Sequence, residues 1–200
     1  MRRFVWFFAV VACAAPADAG RGRWTTGGPR PDAYLVVVDP LRSDVVYASI
    51  GSGGSLYRSV DGGRSWTPIA SPPADSIAVD PSDDALLYLG NFNIFFSRDF
   101  GVSWSEVAPD LTASDIQDIV VAPDDTDTLY VETHTLATGT NGKESYRFAR
   151  VRRGTEGTWS WSVPDPAFTT AVTGLVADAS SSGTIFASGT GGVYRSTDAG

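Results

Sequence analysis

The side chains that could do chemistry in this 200-residue chain lie mostly between residues 110 and 144. His134 is the only histidine and could serve as an acid–base group, although a solvated loop position is the commoner role for such a residue. Paired carboxylates could support glycoside hydrolysis, which needs two carboxyl groups about 5 to 9.5 Å apart, a separation that linear spacing leaves open. The candidate ligand-binding residues are Asp110, Asp115, Glu132, His134, Lys143 and Glu144.

A metal site is not expected among these residues. No second histidine accompanies His134, and the only cysteine, Cys13, lies near the N-terminus, so soft ligands are lacking. The carboxylates of residues 124–127 resemble an acidic calcium cluster. They occupy the same repeat position as residues 82–84 and 42–44, which predicts that they are turn residues instead. No cofactor is therefore expected.

The composition indicates a soluble, acidic protein. The chain is 42% hydrophobic and carries a net charge of −8, which argues against a nucleic-acid partner because phosphate binding needs clustered Lys and Arg. The nearest approach to a basic patch is a group of arginines without an aromatic platform, which are predicted to be solvated strand and turn positions. They are Arg147, Arg150, Arg152 and Arg153.

Residues 1–19 have the pattern of a signal peptide. Two arginines form a positive n-region, residues 4–15 form an apolar h-region too short to span a bilayer, and residues 17–19 form an A-x-A cleavage site. The mature protein is therefore expected to be secreted or periplasmic, without a transmembrane span or a disulfide. Residues 10–13 also resemble a lipobox, which would instead make Cys13 a lipidated N-terminus.

The elements that must position the candidate residues are organised around a repeated motif, Ser-x-Asp-x-Gly-x-Ser-Trp. It is complete at residues 59–66 and 97–104 and begins again at residues 196–200. Each residue type suits a tight turn: Ser and Asp oxygens accept hydrogen bonds from backbone N–H groups, Gly permits a positive φ, and Trp packs beneath the turn. The motif residues predicted to be structural are Ser59, Asp61, Gly63, Trp66, Ser97, Asp99, Gly101, Trp104, Ser196, Asp198 and Gly200.

Four apolar runs, each ending in an Asp-Pro-like turn, show a second periodicity. The Asp position recurs at residues 39, 80, 122 and 178, and an aromatic residue follows each one at an offset of eight. A third run leads into the Ser-x-Asp-x-Gly motif and a fourth follows its Trp, which makes four short strands per repeat. Four strands at a period of about 40 to 45 residues indicate a β-propeller blade.

The sequence thus predicts an all-β protein, a β-propeller of four-stranded antiparallel blades. About four blades of an incomplete ring are expected within residues 20–200, with blade starts near residues 34, 76, 118 and 174. A single blade cannot bury both faces of its sheet, so the blades must stack around an axis.

Two segments depart from the repeat. In the third repeat, Gly154 stands where the motif's Asp should be, and an insertion occupies about residues 132–146. Residues 23–28 parallel the strand that follows Trp66, so they are expected to be the outermost strand of a last blade that is not in this sequence. The sequence is accordingly interpreted as a fragment of a longer protein.

The motifs at residues 59–66 and 97–104 resemble Asp-boxes, the bacterial neuraminidase repeats (BNR) of sialidases, sortilin-type propellers, xyloglucanases and many secreted proteins. Residues 56–63, echoed at residues 193–198, resemble the sortilin and xyloglucanase branch more than true sialidases. The resemblance covers about residues 23–200, and it implies a fold that hosts many functions.

The two best-known enzyme branches imply different catalytic residues. Sialidases share an arginine triad, a tyrosine nucleophile and an N-terminal Arg-Ile-Pro-type motif, and Arg30–Pro31 lacks that context. Xyloglucanases carry a catalytic Asp just after the second strand of their first blade, where residues 49–53 here contain no carboxylate. Both departures lower the expectation of an enzyme, although blades outside this sequence could hold the remaining residues.

Blade geometry places both kinds of turn on one face and the long, variable loops on the other. The leading interpretation is an exported Asp-box propeller that binds or scaffolds a protein or glycan through those loops, with its oligomeric state open. The alternative is a secreted glycoside hydrolase, sialidase- or xyloglucanase-like, that uses paired carboxylates on the loop side. A third is an assembly factor for membrane complexes. An acidic pair facing the channel would favour the enzyme, and an apolar or aromatic groove would favour binding.

Overall fold

The computed structural model describes residues 27–29, 32–51, 54–107, 115–135, 145–154, 157–162, 172–181 and 183–199. Fifteen β-strands account for most of these residues, and no helix among them is long and apolar enough to cross a membrane. The strands are β1 (Ala33–Val38), β2 (Val46–Ile50), β3 (Gly54–Ser59), β4 (Thr67–Ala74), β5 (Ser76–Val79), β6 (Leu87–Gly90), β7 (Ile94–Ser97), β8 (Ser105–Val107), β9 (Asp115–Val121), β10 (Thr128–Thr135), β11 (Ser145–Arg153), β12 (Trp159–Ser162), β13 (Val172–Ala177), β14 (Ile185–Gly189) and β15 (Gly192–Ser196).

The strands form four antiparallel sheets, each a meander of consecutive strands, which we call blades 1 to 4. Blade 1 contains β1–β4, blade 2 β5–β8 and blade 3 β9–β12, and the described part of blade 4 contains β13–β15. Their first strands β1, β5, β9 and β13 converge on one cavity of about 290 Å³, so these strands lie innermost. The chain is therefore all-β and forms part of a β-propeller, as the sequence predicts.

Three apolar clusters fill the spaces between adjacent blades. Each contains the aromatic residue that follows the Asp position by eight: Tyr47, Tyr88 and Tyr130, which are 0%, 0% and 2% exposed. The equivalent Phe186 of blade 4 is 37% exposed, since no described sheet packs on that side. Side chains alternate along each strand between the preceding and the following blade. Each cluster is therefore shared by two blades.

The first turn of a blade, between its first two strands, is built on a buried carboxylate. Asp39 Oδ1 accepts hydrogen bonds from the backbone N–H groups of Leu41 and Arg42 at 2.9 and 3.1 Å. Asp80 and Asp178 make the same kind of turn in blades 2 and 4. An Asp at this position satisfies backbone donors that the tight turn leaves without a partner.

Residues 124–127 form the first turn of blade 3, as the repeat position predicts. Asp125 pairs with Arg152 at 2.9 Å, and Asp127 pairs with Arg153. Two of the three acidic residues of this turn are therefore paired with arginines of β11. Two of the arginines predicted to be solvated thus hold turn carboxylates.

The Ser-x-Asp-x-Gly-x-Ser-Trp motif forms the turn between the third and fourth strands, which we call the Ser-Asp turn. In blade 2, Ser97 Oγ donates to Asp99 Oδ1 at 2.7 Å and accepts from the N–H of Gly101 at 2.8 Å. The hydroxyl and N–H of Ser103 donate to Asp99 at 2.6 and 2.8 Å, and these bonds lower its pKa to about 2. The motif's indole N–H donates to the Gly101 carbonyl at 3.1 Å. Residues 59–66 of blade 1 repeat these contacts.

The backbone of the Ser-Asp turn has positive φ at two successive positions, of which the sequence predicts only the second. In blade 2 these are Phe100 at 60° and Gly101 at 86°. A non-glycine residue in this region is strained. The Phe100 ring lies against the guanidinium groups of Arg42 and Arg58, each 5.1 Å from the ring centroid. These cation–π contacts join blades 1 and 2 and offset the strain.

Blade 3 lacks the Ser-Asp turn, as Gly154 at the Asp position predicts. The Gly154 N–H donates to the carbonyl of Thr158 at 2.7 Å, which closes the turn through the backbone. Trp159 then begins β12 and packs on Tyr88 and Phe96, with ring centroids 6.5 and 5.8 Å apart. The Trp of the motif thus keeps its packing role when the Asp is absent.

Two segments singled out in the sequence fall largely outside the described residues. Of the expected closing strand at residues 23–28, only Gly27 and Gly28 are described, and they lie in a coil and bend. Gly200, the last residue of the third motif, is outside the described part. Ser196 and Asp198 of that motif form the expected bond, with Ser196 Oγ donating to Asp198 Oδ1 at 2.6 Å.

Candidate functional site

The two kinds of turn lie together on one face of each blade, which we call the turn face. The Gly62 N–H donates to the Asp44 carbonyl at 2.8 Å, and the Phe100 N–H donates to the Ala85 carbonyl at 3.2 Å. Each bond joins the Ser-Asp turn to the first turn of the same blade. The opposite face, the loop face, carries the starts of the inner strands and the turns between second and third strands.

The cavity between the inner strands opens beside the first turns, on the turn-face side. Its lining consists of Val, Ile, Ala and Pro side chains, among them Pro40, Pro81 and Pro123 of the first turns. It therefore offers apolar contact and no acid–base group. At this end of the axis, the lining matches the apolar groove expected of a binding module.

Carboxylates of adjacent blades meet on the loop face. Asp75 immediately precedes β5, and Asp115 begins β9. Asn91, directly after β6, links the two segments. Its side-chain N–H donates to Asp75 Oδ2, and its main-chain carbonyl accepts a hydrogen bond from the N–H of Ile116 at 2.6 Å. Gln117 Nε2 donates to Asp115 Oδ2 at 2.8 Å. This group of polar side chains spans the contact between blades 2 and 3.

The electrostatics of this group raise the pKa of Asp115. Burial is the largest cause, and the negative charge of Asp75 is the next. The charge of His134 and the hydrogen bond from Gln117 act in the opposite direction. Asp115 and His134 are directly opposite one another on β9 and β10. Asp115, a carboxyl group with a raised pKa, therefore lies close to the carboxyl group of Asp75 on the loop face.

A second carboxyl pair lies deeper in blade 3. Glu132 is directly opposite Asp118 on β10 and β9, and it is 4% exposed. Burial, and then the charge of Asp118, raise the pKa of Glu132 to about 7. Burial also raises the pKa of Asp118, against hydrogen bonds from the backbone of Leu175 and Ile119. Leu175 belongs to β13, so Asp118 connects blade 3 to blade 4.

The structure corrects the predicted position of two candidates. The insertion was expected to place Glu132 and His134 in a loop, but β10 extends to Thr135 and both residues are strand residues. The β-branched side chains at residues 131, 133 and 135 favour extended pairing with β11, which continues the sheet past the expected boundary. His134 is accordingly half-buried against β9.

Three of the six candidates are brought onto neighbouring positions of β9 and β10, and three fall outside the described residues. Asp118, Asp75 and Asn91 were absent from the candidate set. Asp118 and Asp75 could not be identified from the sequence, because their neighbours depend on strand register and on contacts between blades. Candidates within the described part are Asp115, Glu132 and His134; those outside it are Asp110, Lys143 and Glu144. In the described ranges, no three His, Cys, Asp or Glu side chains are grouped to hold a metal ion.

Comparison with known proteins relates the chain to xyloglucanases in sequence. No family model matches it. A xyloglucanase of Acetivibrio thermocellus is 29% identical over 94 residues, covering 36% of this chain and 11% of that protein. A xyloglucanase of a Paenibacillus species is 28% identical over 94 residues, covering 36% of this chain and 9% of that protein. The chain thus matches about a tenth of the length of these relatives.

Solved structures support the fold. An ancestral GH74 enzyme superposes with a TM-score of 0.66 at 22% identity, covering 88% of this chain and 24% of that one. The β-propeller domain of Myceliophteria thermophila Cps50 (Swd1) superposes with a TM-score of 0.58 at 13% identity, covering 86% of this chain and 57% of that one. The chain is similar to proteins with different names, so the likeness establishes the architecture alone.

Proposed function

We propose that this chain belongs to an exported glycoside-hydrolase-like β-propeller of the Asp-box type that acts on a polysaccharide of the xyloglucan class. The similarity to xyloglucanases supports the substrate class. The observation that carries the proposal within the molecule is the meeting of Asp75 and Asp115 on the loop face, from adjacent blades. Glycosidases need two carboxyl groups with different proton affinities, and a raised pKa suits the one that donates a proton.

In this proposal the two carboxyl groups have different roles. Asp115 is the proton donor to the glycosidic oxygen, because burial and the charge of Asp75 favour its protonated form. Asp75 is the partner that activates water or stabilises the developing positive charge, and the amide of Asn91 orients it. Gln117, two residues further along the same strand, donates its side-chain N–H to the Asp115 carboxyl group. Phe92, 63% exposed beside Asn91, offers an apolar ring face to a sugar.

A second candidate function is a protein- or glycan-binding module without hydrolysis. The apolar lining of the axial cavity favours it. So does the absence of a carboxylate in residues 49–53, the segment that corresponds to a catalytic position in the resemblance to xyloglucanases. On this alternative, the loop face recognises its ligand and the polar cluster at Asp75 and Asp115 supplies hydrogen bonds to it.

The test measures binding and hydrolysis separately with tamarind-type xyloglucan. Reducing-end release and affinity electrophoresis are recorded for the chain and for Asp115→Asn, Asp75→Asn and Glu106→Gln. Glu106 is an exposed carboxylate of the outer strand β8 and serves as the matched control. We expect Asp115→Asn and Asp75→Asn to lower turnover at least a hundredfold, the combined scale of general acid–base catalysis, while Glu106→Gln has no effect.

Each outcome separates the two functions. Binding without turnover in the unaltered chain, weakened by the Asp75 and Asp115 variants, supports the binding module and overturns the hydrolase. Turnover that persists in Asp115→Asn removes that residue from the catalytic role. If the unaltered chain shows neither binding nor turnover with xyloglucan, the proposed substrate class is wrong.

We propose further that residues 1–19 direct export and are removed. The basis is the charged and apolar pattern of this segment and its A-x-A site. Intact mass of protein recovered from the periplasm or medium tests this. A mature chain beginning at Gly20 supports cleavage by a signal peptidase, whereas a lipid-modified Cys13 at the N-terminus supports the anchored form.

A further inference from the structure

One layer of the propeller differs in chemistry between blades. Each blade contributes one pair of residues to this layer. One member of the pair lies on the second strand, two residues after the aromatic core position, and the other is its partner on the innermost strand. Small or apolar side chains occupy this layer in blades 1, 2 and 4, whereas blade 3 has two acids. The register pairs are Leu35–Ser49, Ser76–Gly90, Asp118–Glu132 and Gly174–Ser188.

The second-strand residue of this layer is buried in blades 1 to 3, so its chemistry affects how those blades pack. In blade 2, a Cβ atom added to Gly90 would lie 2.5 Å from Ile116 Cγ2 of blade 3, which shows how closely the next blade approaches. In blade 3, the same position holds Glu132. Its other cross-strand neighbour, Phe148, packs with Val172 and Leu175 of blade 4. The Glu132 carboxyl group therefore lies beside the apolar contact between blades 3 and 4.

The carboxyl group of Glu132 is buried directly opposite a second acid, Asp118, whose charge raises its pKa. Asp118 itself accepts the N–H of Leu175 from blade 4. An ionised carboxylate buried beside another acid is strongly unfavourable. A proton on Glu132 removes that charge and leaves Asp118 free to keep its bond across the blade contact.

Among the residues that the structure describes, the other charged groups near this pair do not neutralise it. On the same side of blade 3, Asp115 and His134 form the neighbouring register pair toward the loop face. On the other side lies Tyr130, opposite Arg150, whose guanidinium donates to the Ala199 carbonyl of blade 4 at 3.3 Å. The facing strands β13 and β14 contain no ionisable side chain.

We propose that the contact between blades 3 and 4 is a pH-sensitive joint, in which a proton held by the Asp118–Glu132 pair keeps the blades together and its loss loosens blade 4. This goes beyond the proposed function and does not depend on it. The direction follows from linkage between protonation and folding. Below the unfolded pKa of 4.5, Glu132 is protonated in both states and its ionisation does not destabilise the fold. The destabilisation grows as pH rises above 4.5 and is complete above the folded pKa of about 7.

Hydrogen exchange of the intact chain tests the joint without any activity assay. Peptides covering β13–β15 are followed from pH 5.5 to 8.5, after correction for the intrinsic pH dependence of exchange, with blade 1 peptides as an internal reference. The pKa range of 4.5 to about 7 corresponds to a total fall in protection of at most roughly 300-fold, of which about 30-fold lies between pH 5.5 and 8.5. We expect at least a tenfold fall in blade 4 and less than a twofold change in blade 1.

Variants identify the group responsible. Glu132→Gln removes the titration and should leave blade 4 protection independent of pH, and Glu132→Ser, which copies blade 1, should do the same if the glutamine variant fails to fold. Asp118→Asn removes a charge that repels the Glu132 carboxylate. It should therefore reduce the size of the fall in blade 4 protection. Glu106→Gln, at an exposed site, should behave like the unaltered chain. A pH-independent blade 4 in the unaltered chain, or the same pH dependence in Glu132→Gln, overturns the proposal.

Discussion

Gly90 is the position where a single methyl group should do most damage to the packing between blades. It ends β6 within the contact between blades 2 and 3, and its φ is not in the left-handed region, so alanine meets no backbone strain there. The added Cβ would lie 2.5 Å from Ile116 Cγ2 and 2.9 Å from Ile119 Cδ1. Favourable carbon–carbon contacts are about 3.5 to 4.0 Å, so one side must move by about 1 Å.

The cost is set by how little the neighbours can move. Ile116 is 0% exposed and Ile119 is 3% exposed, both within the cluster between blades 2 and 3. Overpacking of this kind costs about 1–3 kcal/mol. In a chain of this size each kcal/mol lowers Tm by roughly 2–4 °C, so Gly90→Ala should melt roughly 2–12 °C lower.

The assay is denaturant and thermal unfolding followed by tryptophan fluorescence, with two further variants. Gly28→Ala is the control, since its Cβ would meet nothing within 4 Å, and it should change stability by less than about 0.5 kcal/mol. Ile116→Ala should cost about 2–5 kcal/mol alone. Combined with Gly90→Ala it should cost less than the sum by about 1 kcal/mol or more, because the new methyl group fills the space. A neutral Gly90→Ala, or strict additivity with Ile116→Ala, would refute the reasoning.

Three other substitutions test the turns and the aromatic packing. Phe100→Gly should be more stable than Phe100→Ala by about 1 kcal/mol in urea unfolding, because both lose the arginine contacts but only glycine tolerates the positive φ of 60° without cost; equal stabilities would contradict the strain. Ser97→Ala should cost about 1–3 kcal/mol, since it leaves the buried N–H of Gly101 unpaired, whereas Ser103→Ala at an exposed hydroxyl should cost less than half as much by the same measurement. Trp159→Ala should cost about 2–4 kcal/mol and lower the Tm of the whole chain, and a loss below about 1 kcal/mol would show that Trp159 packs only loosely on blade 2.

The blade architecture could be predicted from the sequence because its determinants are local. Ser97, Asp99 and Gly101 make their turn within five residues, and Asp39 makes its own within four, so residue type and spacing suffice. The positive φ of Phe100 could not be predicted, because the compensating arginines come from blade 1. A residue at that position is tolerated for a reason that lies outside its own turn.

The candidate site was predicted only in part because it depends on register. Asp115, Glu132 and His134 were identified by type, but the pairing of His134 with Asp115 depends on a register irregularity between residues 132 and 133 of β10 against β9. Glu132 is opposite Asp118 just before that irregularity, and a shift of one residue in the register would give it a different neighbour. The approach of Asp75 to Asp115 likewise depends on how two blades meet, which no local pattern specifies.

The backbone bonds that join the two turns of a single blade have a consequence for how such chains change length in evolution. On the turn face, the bond from Gly62 to Asp44 and the bond from Phe100 to Ala85 begin and end within one repeat. Duplication or deletion of a whole repeat therefore leaves these two backbone bonds intact. On the loop face, the bond from Ile116 to Asn91 crosses from one repeat to the next. New repeats can thus be gained freely only if their loop-face residues fit an existing neighbour, which links the growth of the ring to the surface on which ligands are recognised.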